Sequence, residues 1–71
     1  MVKLFTQAGC GMCKSVHMML DKNKIEYEDI IVTDNNLEEV RAQGVLGTPT
    51  LIVGDKKYVK AEILDWIKAR V

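Results

Sequence analysis

Seventy-one residues leave room for one domain around one core, and a composition that is 48% hydrophobic and 28% charged belongs to a folding chain rather than a disordered one. Ten Lys and Arg balance ten Asp and Glu, so there is no basic field of the kind that nucleic acid or an anionic membrane would select. The N-terminus lacks the zones of a secretory signal, and the apolar runs are too short to span a bilayer. The expectation is a single domain over residues 1–71, monomeric and cytoplasmic, whose partners are proteins or small molecules, with no nucleic acid and no membrane.

Val2 to Thr6 reads as a first strand. Gln7, Ala8 and Gly9 form a loop that delivers Cys10 to the start of a helix running to about Asn23. On that helix Cys13, Val16 and Leu20 share the inward face with Met19 and His17 at its edges, while Lys14, Asp21 and Lys22 face water. Ile25 to Val32 reads as a second strand, in which Ile25, Tyr27, Asp29 and Ile31 alternate with Glu26, Glu28 and Ile30; the second set is the solvent side. Asp34 or Asn35 can cap a second helix through Gln43, with Leu37 and Val40 inward and Gly44 ending it in a left-handed conformation. After Gly47-Thr48-Pro49, Thr50 to Val53 is a short strand, Gly54-Asp55 with Lys56 is a turn, and Lys57 to Val59 pairs back as a hairpin. A last helix from Ala61 to Arg70 has Ile63, Leu64, Ile67 and Val71 on its apolar face, with Trp66 off that stripe. The fold class is α/β in the order β-α-β-α-β-β-α: a four-stranded mixed sheet whose first two strands are parallel, with helices on both faces.

Two cysteines are too few for the disulfide framework of a small secreted domain, and their C-x-x-C spacing suits a catalytic or metal-binding pair. The segment Cys10-Gly11-Met12-Cys13 stands at the first strand-to-helix junction, and Gly44-Val45-Leu46-Gly47-Thr48-Pro49-Thr50-Leu51-Ile52 leads into the third strand. These two motifs, in that order of elements, resemble the thioredoxin/glutaredoxin superfamily in its smallest, glutaredoxin-like form, along nearly the whole chain. The resemblance implies a thioredoxin fold, a thiol-disulfide oxidoreductase that carries electrons without a bound cofactor, and a reversible Cys10–Cys13 disulfide. It also implies a cis bond before Pro49, packed against the cysteines, with Thr48 offering backbone groups to an extended substrate.

The chemistry of the spacing agrees. A cysteine at a helix start faces unpaired N–H groups and the positive end of the dipole, which favour the thiolate that attacks a disulfide; Cys10 is therefore expected as the nucleophile. Cys13, one turn on and turned inward, is placed to resolve the mixed disulfide. Gly11 leaves space beside the attacking sulfur, and Met12 is a flexible apolar contact. As a structural zinc site the pair falls short, because only His17 adds a third ligand at suitable spacing and a tetrahedral site needs four. His17 reads as a partly buried structural histidine, Arg41 as a solvated partner of Glu38, and Met18 and Met19 as packing.

The departures from each relative narrow the reading. Glutaredoxins hold glutathione with a lysine before the first cysteine, a tyrosine in the motif and a Gly-Gly-x-Asp segment, where this chain has Gln7, Met12 and Val59-Lys60. Thioredoxins have a tryptophan before the motif and a buried acid behind it, where this chain has Ala8-Gly9 and no acid in the first strand. The sequence therefore points to reduction of protein disulfides, ribonucleotide reductase being a candidate client, with recharging by a thioredoxin-reductase-type flavoprotein. A glutathione-dependent glutaredoxin is the alternative, in which Thr48, Arg41 or a lysine would replace the missing contacts. A third reading is a non-enzymatic metal or iron-sulfur binding module.

Overall fold

The structure is a computed structural model and describes residues 2–70. Its elements follow the expected order: β1 (Val2–Thr6), α1 (Gly11–Lys22), β2 (Glu28–Ile31), α2 (Leu37–Ala42), β3 (Thr50–Val53), β4 (Lys56–Val59) and α3 (Ala61–Lys68). The strands form one sheet in the order β2-β1-β3-β4, parallel between β1 and β2 and antiparallel elsewhere. This is the thioredoxin-like fold that the two motifs implied.

Alternation along β1 divides the interior into two. Leu4 faces α1 and α3 and packs with Val16, Leu20, Leu51, Ile63, Trp66 and Ile67, whereas Phe5 faces α2 and packs with Val32, Val40 and Val45. Both helices that precede strands end alike. Lys24 N–H donates to the Asp21 carbonyl (3.1 Å) and Ile25 N–H to Leu20 (3.0 Å); at the end of α2, Gly44 N–H donates to Arg41 (2.9 Å) and Val45 N–H to Val40 (3.4 Å). Each is a Schellman closure, which requires a left-handed residue: Lys24 at φ 55° in one and the anticipated Gly44 at φ 88° in the other.

Several expectations are corrected. β2 is shorter than Ile25 to Val32, and its faces are not inside and outside. Ile30 packs beside Phe5 under α2, while Ile31 at the strand end is 56% exposed, because helices cover both faces of the sheet but not the end of this edge strand. The residue at the start of α2 is Asn36 rather than Asp34 or Asn35. Its side chain makes no cap; it accepts from Thr33 N–H (2.8 Å) and donates to the Ile31 carbonyl (2.9 Å), bracing the turn instead. Lys56 belongs to β4, opposite Val53, which leaves Gly54-Asp55 as a two-residue turn with Gly54 at φ 63°.

Trp66 is the largest departure, because it lies in the core at 6% exposure. The buried stripe of α3 is Ile63, Trp66 and Ile67, with Leu64 at its margin, and the stripe turns toward β4, where the Tyr58 ring lies 6.2 Å from that of Trp66. Met19 packs against the core, whereas Met18 is 71% exposed. Val71 lies outside the described residues.

Candidate active site

The parallel β1–β2 pair and the antiparallel β1–β3 pair bring the C-terminal end of β1 beside the N-terminal end of β3, so the loop after Thr6 and the loop before Thr50 share one end of the sheet. The first loop is closed by Cys10 N–H donating to the Gln7 carbonyl (3.3 Å) around Gly9 at φ 81°. Its last residue, Cys10, is extended (φ −88°, ψ 107°) and stands as the N-cap of α1, its sulfur accepting the Cys13 backbone N–H at 3.2 Å. Cys10 and Cys13 are joined as a disulfide with their Cα atoms 5.3 Å apart. The two sulfurs differ in access: Cys13 is 3% exposed within the apolar face of α1, and Cys10 is only half-buried. The first turn of α1 carries no acidic residue to offset the positive end of its dipole.

Of the other residues singled out in the sequence, Met12 and Gly11 are exposed beside the disulfide, and a Cβ built on Gly11 would meet nothing within 4 Å. The Thr48–Pro49 bond is cis, Pro49 is buried and Thr48 half-buried. Thr50 Oγ1 donates to the Gly47 carbonyl at 2.6 Å, closing the turn that presents Thr48. Lys60 N–H donates to the Pro49 carbonyl at 3.3 Å, which ties the start of α3 to the same wall.

Arg41 is not the partner of Glu38. Among the described residues no carboxylate lies within ion-pair distance of it, and it lines a cleft of about 220 Å³ with Gln7, Leu37, Leu46, Gly47 and Thr48. The signal was available, since Leu37 and Arg41 stand four apart on one face of α2. The exposure of Leu46, 87%, had no signal: Val45 and Leu46 are adjacent aliphatics, and only the closure of α2 decides that Val45 is the one turned inward.

His17, on α1, is partly buried and has a polar neighbour at each ring nitrogen. Nδ1 lies 2.8 Å from the Tyr27 hydroxyl and Nε2 3.4 Å from Asp29 Oδ1, which also accepts from Thr6 Oγ1 (3.2 Å); the Tyr27 hydroxyl donates to Asp21 (3.1 Å). Burial first, then the hydrogen bond to Asp21 and the charges of Asp21 and Asp29, push the Tyr27 phenol above its ordinary pKa. Through Tyr27, just before β2, and Asp29 within it, the imidazole braces α1 against that edge. Among the described residues no group of three or more His, Cys, Asp or Glu side chains converges as a metal site, and no helix is long and apolar enough to cross a membrane.

The glutaredoxin family model matches residues 2–59, which is most of the chain. The chain belongs to the glutaredoxin family. Its backbone is also similar to that of the glutaredoxin-like protein NrdH-redoxin from Escherichia coli, with a TM-score of 0.75 and 24% sequence identity over 96% of this chain and 91% of that one. No curated protein matched by sequence. This small glutaredoxin is a thiol-disulfide oxidoreductase, and its Cys10–Cys13 disulfide is the redox-active pair.

Proposed function

We propose that this glutaredoxin reduces disulfides of protein clients, with Cys10 as nucleophile and Cys13 as resolving thiol, and that a thioredoxin-reductase-type flavoprotein recharges it. The observation that carries the reading is the unequal placement of the two sulfurs, one accessible at the N-cap of α1 and the other buried a turn further on. In the reduced protein the Cys13 N–H and the helix dipole both favour charge on Cys10 Sγ. The Cys10 thiolate attacks a client disulfide, one client sulfur leaves as thiolate, and Cys13, on losing its proton, attacks Cys10 Sγ and releases the second. Two electrons pass to the client, and Cys10–Cys13 is left oxidised. Gly11 gives the client sulfur room, Met12 offers a polarizable apolar contact, and Thr48 and Pro49 form the wall along which an extended client chain lies.

The flavoprotein donor is favoured because Val59-Lys60 and Gln7 replace the residues with which glutaredoxins hold glutathione. The Escherichia coli NrdH-redoxin, for which a thioredoxin-like activity profile is described, supplies a precedent for a glutaredoxin-like protein of this kind. A second reading, glutathione as donor, is favoured by one observation: Arg41, free of Glu38, shares its cleft with Gln7 and Thr48.

Serine variants test the roles of the two sulfurs, and coupled turnover of wild type separates the two donors. With a protein disulfide substrate Cys13→Ser is expected to accumulate a covalent complex that dithiothreitol releases, and Cys10→Ser to form none. Trapping by Cys10→Ser instead would reverse the assignment. Turnover of wild type coupled to NADPH through a thioredoxin reductase, and not through glutathione and its reductase, is the expected donor profile; efficient turnover with glutathione alone would establish the second reading.

A further inference from the structure

Lys60 holds a backbone conformation that a residue with a side chain adopts only under constraint. Lys24, the other non-glycine residue at positive φ among the described residues, closes α1, where a left-handed residue is ordinary. Lys60 pairs φ 51° with ψ −122°, the mirror image of the β region, which glycine enters freely and L-residues avoid. The backbone there is pinned on both sides: its N–H donates to Pro49 O (3.3 Å) and its carbonyl accepts Ile63 N–H (3.1 Å). Glycine would serve this junction better. The lysine side chain repays nothing to the fold, for it is exposed and, unlike Lys57, whose Nζ donates to Gly44 O at 2.8 Å, its ammonium has no hydrogen bond or ion pair among the described residues.

What the side chain does bring is charge to the redox face. The segments that build that face, residues 6–16, 43–50 and 59–61, contain Lys14 and Lys60 and no Asp or Glu, and on the α2 side Arg41 adds a further cation in the cleft beside Thr48. The acids at this end of the sheet, Asp34 and Glu38 and Glu39 in the first turn of α2, follow β2 at the opposite edge. Glu62, two residues beyond Lys60, keeps its charge but is turned back on the start of α3, where its Oε1 accepts the Val59 N–H at 3.1 Å. Between these edges Met12, Leu46 and Val59 expose 42%, 87% and 38% of their surface. The face therefore offers apolar contacts with the Lys60 ammonium on its β4 side.

We propose that Lys60 is a specificity residue, selecting client segments that carry an acidic side chain beside the disulfide cysteine on the side that lies toward β4. The inference rests on the protein-disulfide reading above and names the client class for that same site. The ammonium of Lys60 pairs with the client carboxylate while the Cys10 thiolate attacks the neighbouring sulfur, and the client disulfide takes two electrons and the Cys13 proton as Cys10–Cys13 forms. A charge at such a border acts mainly on the rate of productive encounter, so the preference weakens as salt rises.

The test uses the reduced full chain and two synthetic peptide disulfides of identical length, one with aspartates and one with lysines flanking the cysteine, and measures second-order reduction rates by acid quench and chromatography. Wild type is expected to prefer the acidic peptide by roughly threefold to tenfold at low salt. Lys60→Gly should remove most of that preference while raising the melting temperature by roughly 5 °C, and Lys60→Glu should invert it. Lys22→Ala, at the far end of α1, should leave the ratio as in wild type. Equal rates for the two peptides with wild type, or a ratio that survives Lys60→Glu, would overturn the proposal and leave the oxidoreductase reading standing. If the reduced protein cleaves neither peptide nor any protein disulfide, the reading beneath it fails as well.

Discussion

Replacing Trp66 tests the packing on which the redox face rests. The side chain is 6% exposed, is packed among Leu4, Val16, Leu20, Leu51, Ile63 and Ile67, and has the Arg70 guanidinium 3.8 Å from the ring centroid. Burying roughly 150–250 Å² at about 25 cal/mol per Å² gives roughly 4–6 kcal/mol for the ring, and truncation of core Trp to Ala costs about 3–5 kcal/mol. A chain of this length has a total stability of roughly 4–10 kcal/mol, so Trp66→Ala removes about half or more. Trp66→Phe is different, because the indole Nε1 is buried with no hydrogen-bond partner among the described residues. Phenylalanine keeps most of the packing and deletes a donor whose unsatisfied burial costs about 1–3 kcal/mol, which offsets the smaller ring. Urea unfolding followed by far-UV circular dichroism should therefore place Trp66→Phe within about 1 kcal/mol of wild type and Trp66→Ala about 4 kcal/mol below it, a drop of roughly 15–30 °C in melting temperature. Trp66→Ala within 1 kcal/mol of wild type, or Trp66→Phe as damaging as Trp66→Ala, would refute the reasoning.

Two further outcomes follow from the same geometry. Because the folded Tyr27 phenol titrates above its ordinary value of 10.0, the stability that its neutral form contributes is complete below pH 10 and is lost as pH rises through the folded pKa. Tyr27→Phe, about 1 kcal/mol less stable than wild type at pH 8 through loss of its hydrogen bonds, should show a smaller deficit at pH 11, and a deficit unchanged between the two would contradict the shift. Gly44→Ala should cost roughly 1–2 kcal/mol from its φ of 88° alone, since the added Cβ would stand an ordinary 3.7 Å from Lys57 Nζ; Gly44→Asn should cost less, and thermal melts of the two variants check the order.

The order of elements, the position of the dithiol and the closure of α2 at Gly44 were legible in the sequence, because each depends on local chemistry. Periodicity marks a helix, a helix start favours a thiolate, and a left-handed closure calls for glycine. Spacing and a place after a strand marked Cys10 and Cys13 as a catalytic or metal-binding pair, and the resemblance carried by the two motifs supplied the disulfide. What escaped was decided by contacts between distant segments. Ile30 is partly buried because α2 crosses the face that alternation alone assigned to solvent, and Trp66 is buried because α3 tilts its stripe toward Tyr58 on β4. Arg41 reaches a cleft only when the Gly47-Thr48 turn is folded beside Gln7, and Lys60 stands beside Pro49 only when β4 has paired with β3. A sequence states which side of an element is apolar, but which partner covers it, and how far along, follows from the docking of whole elements.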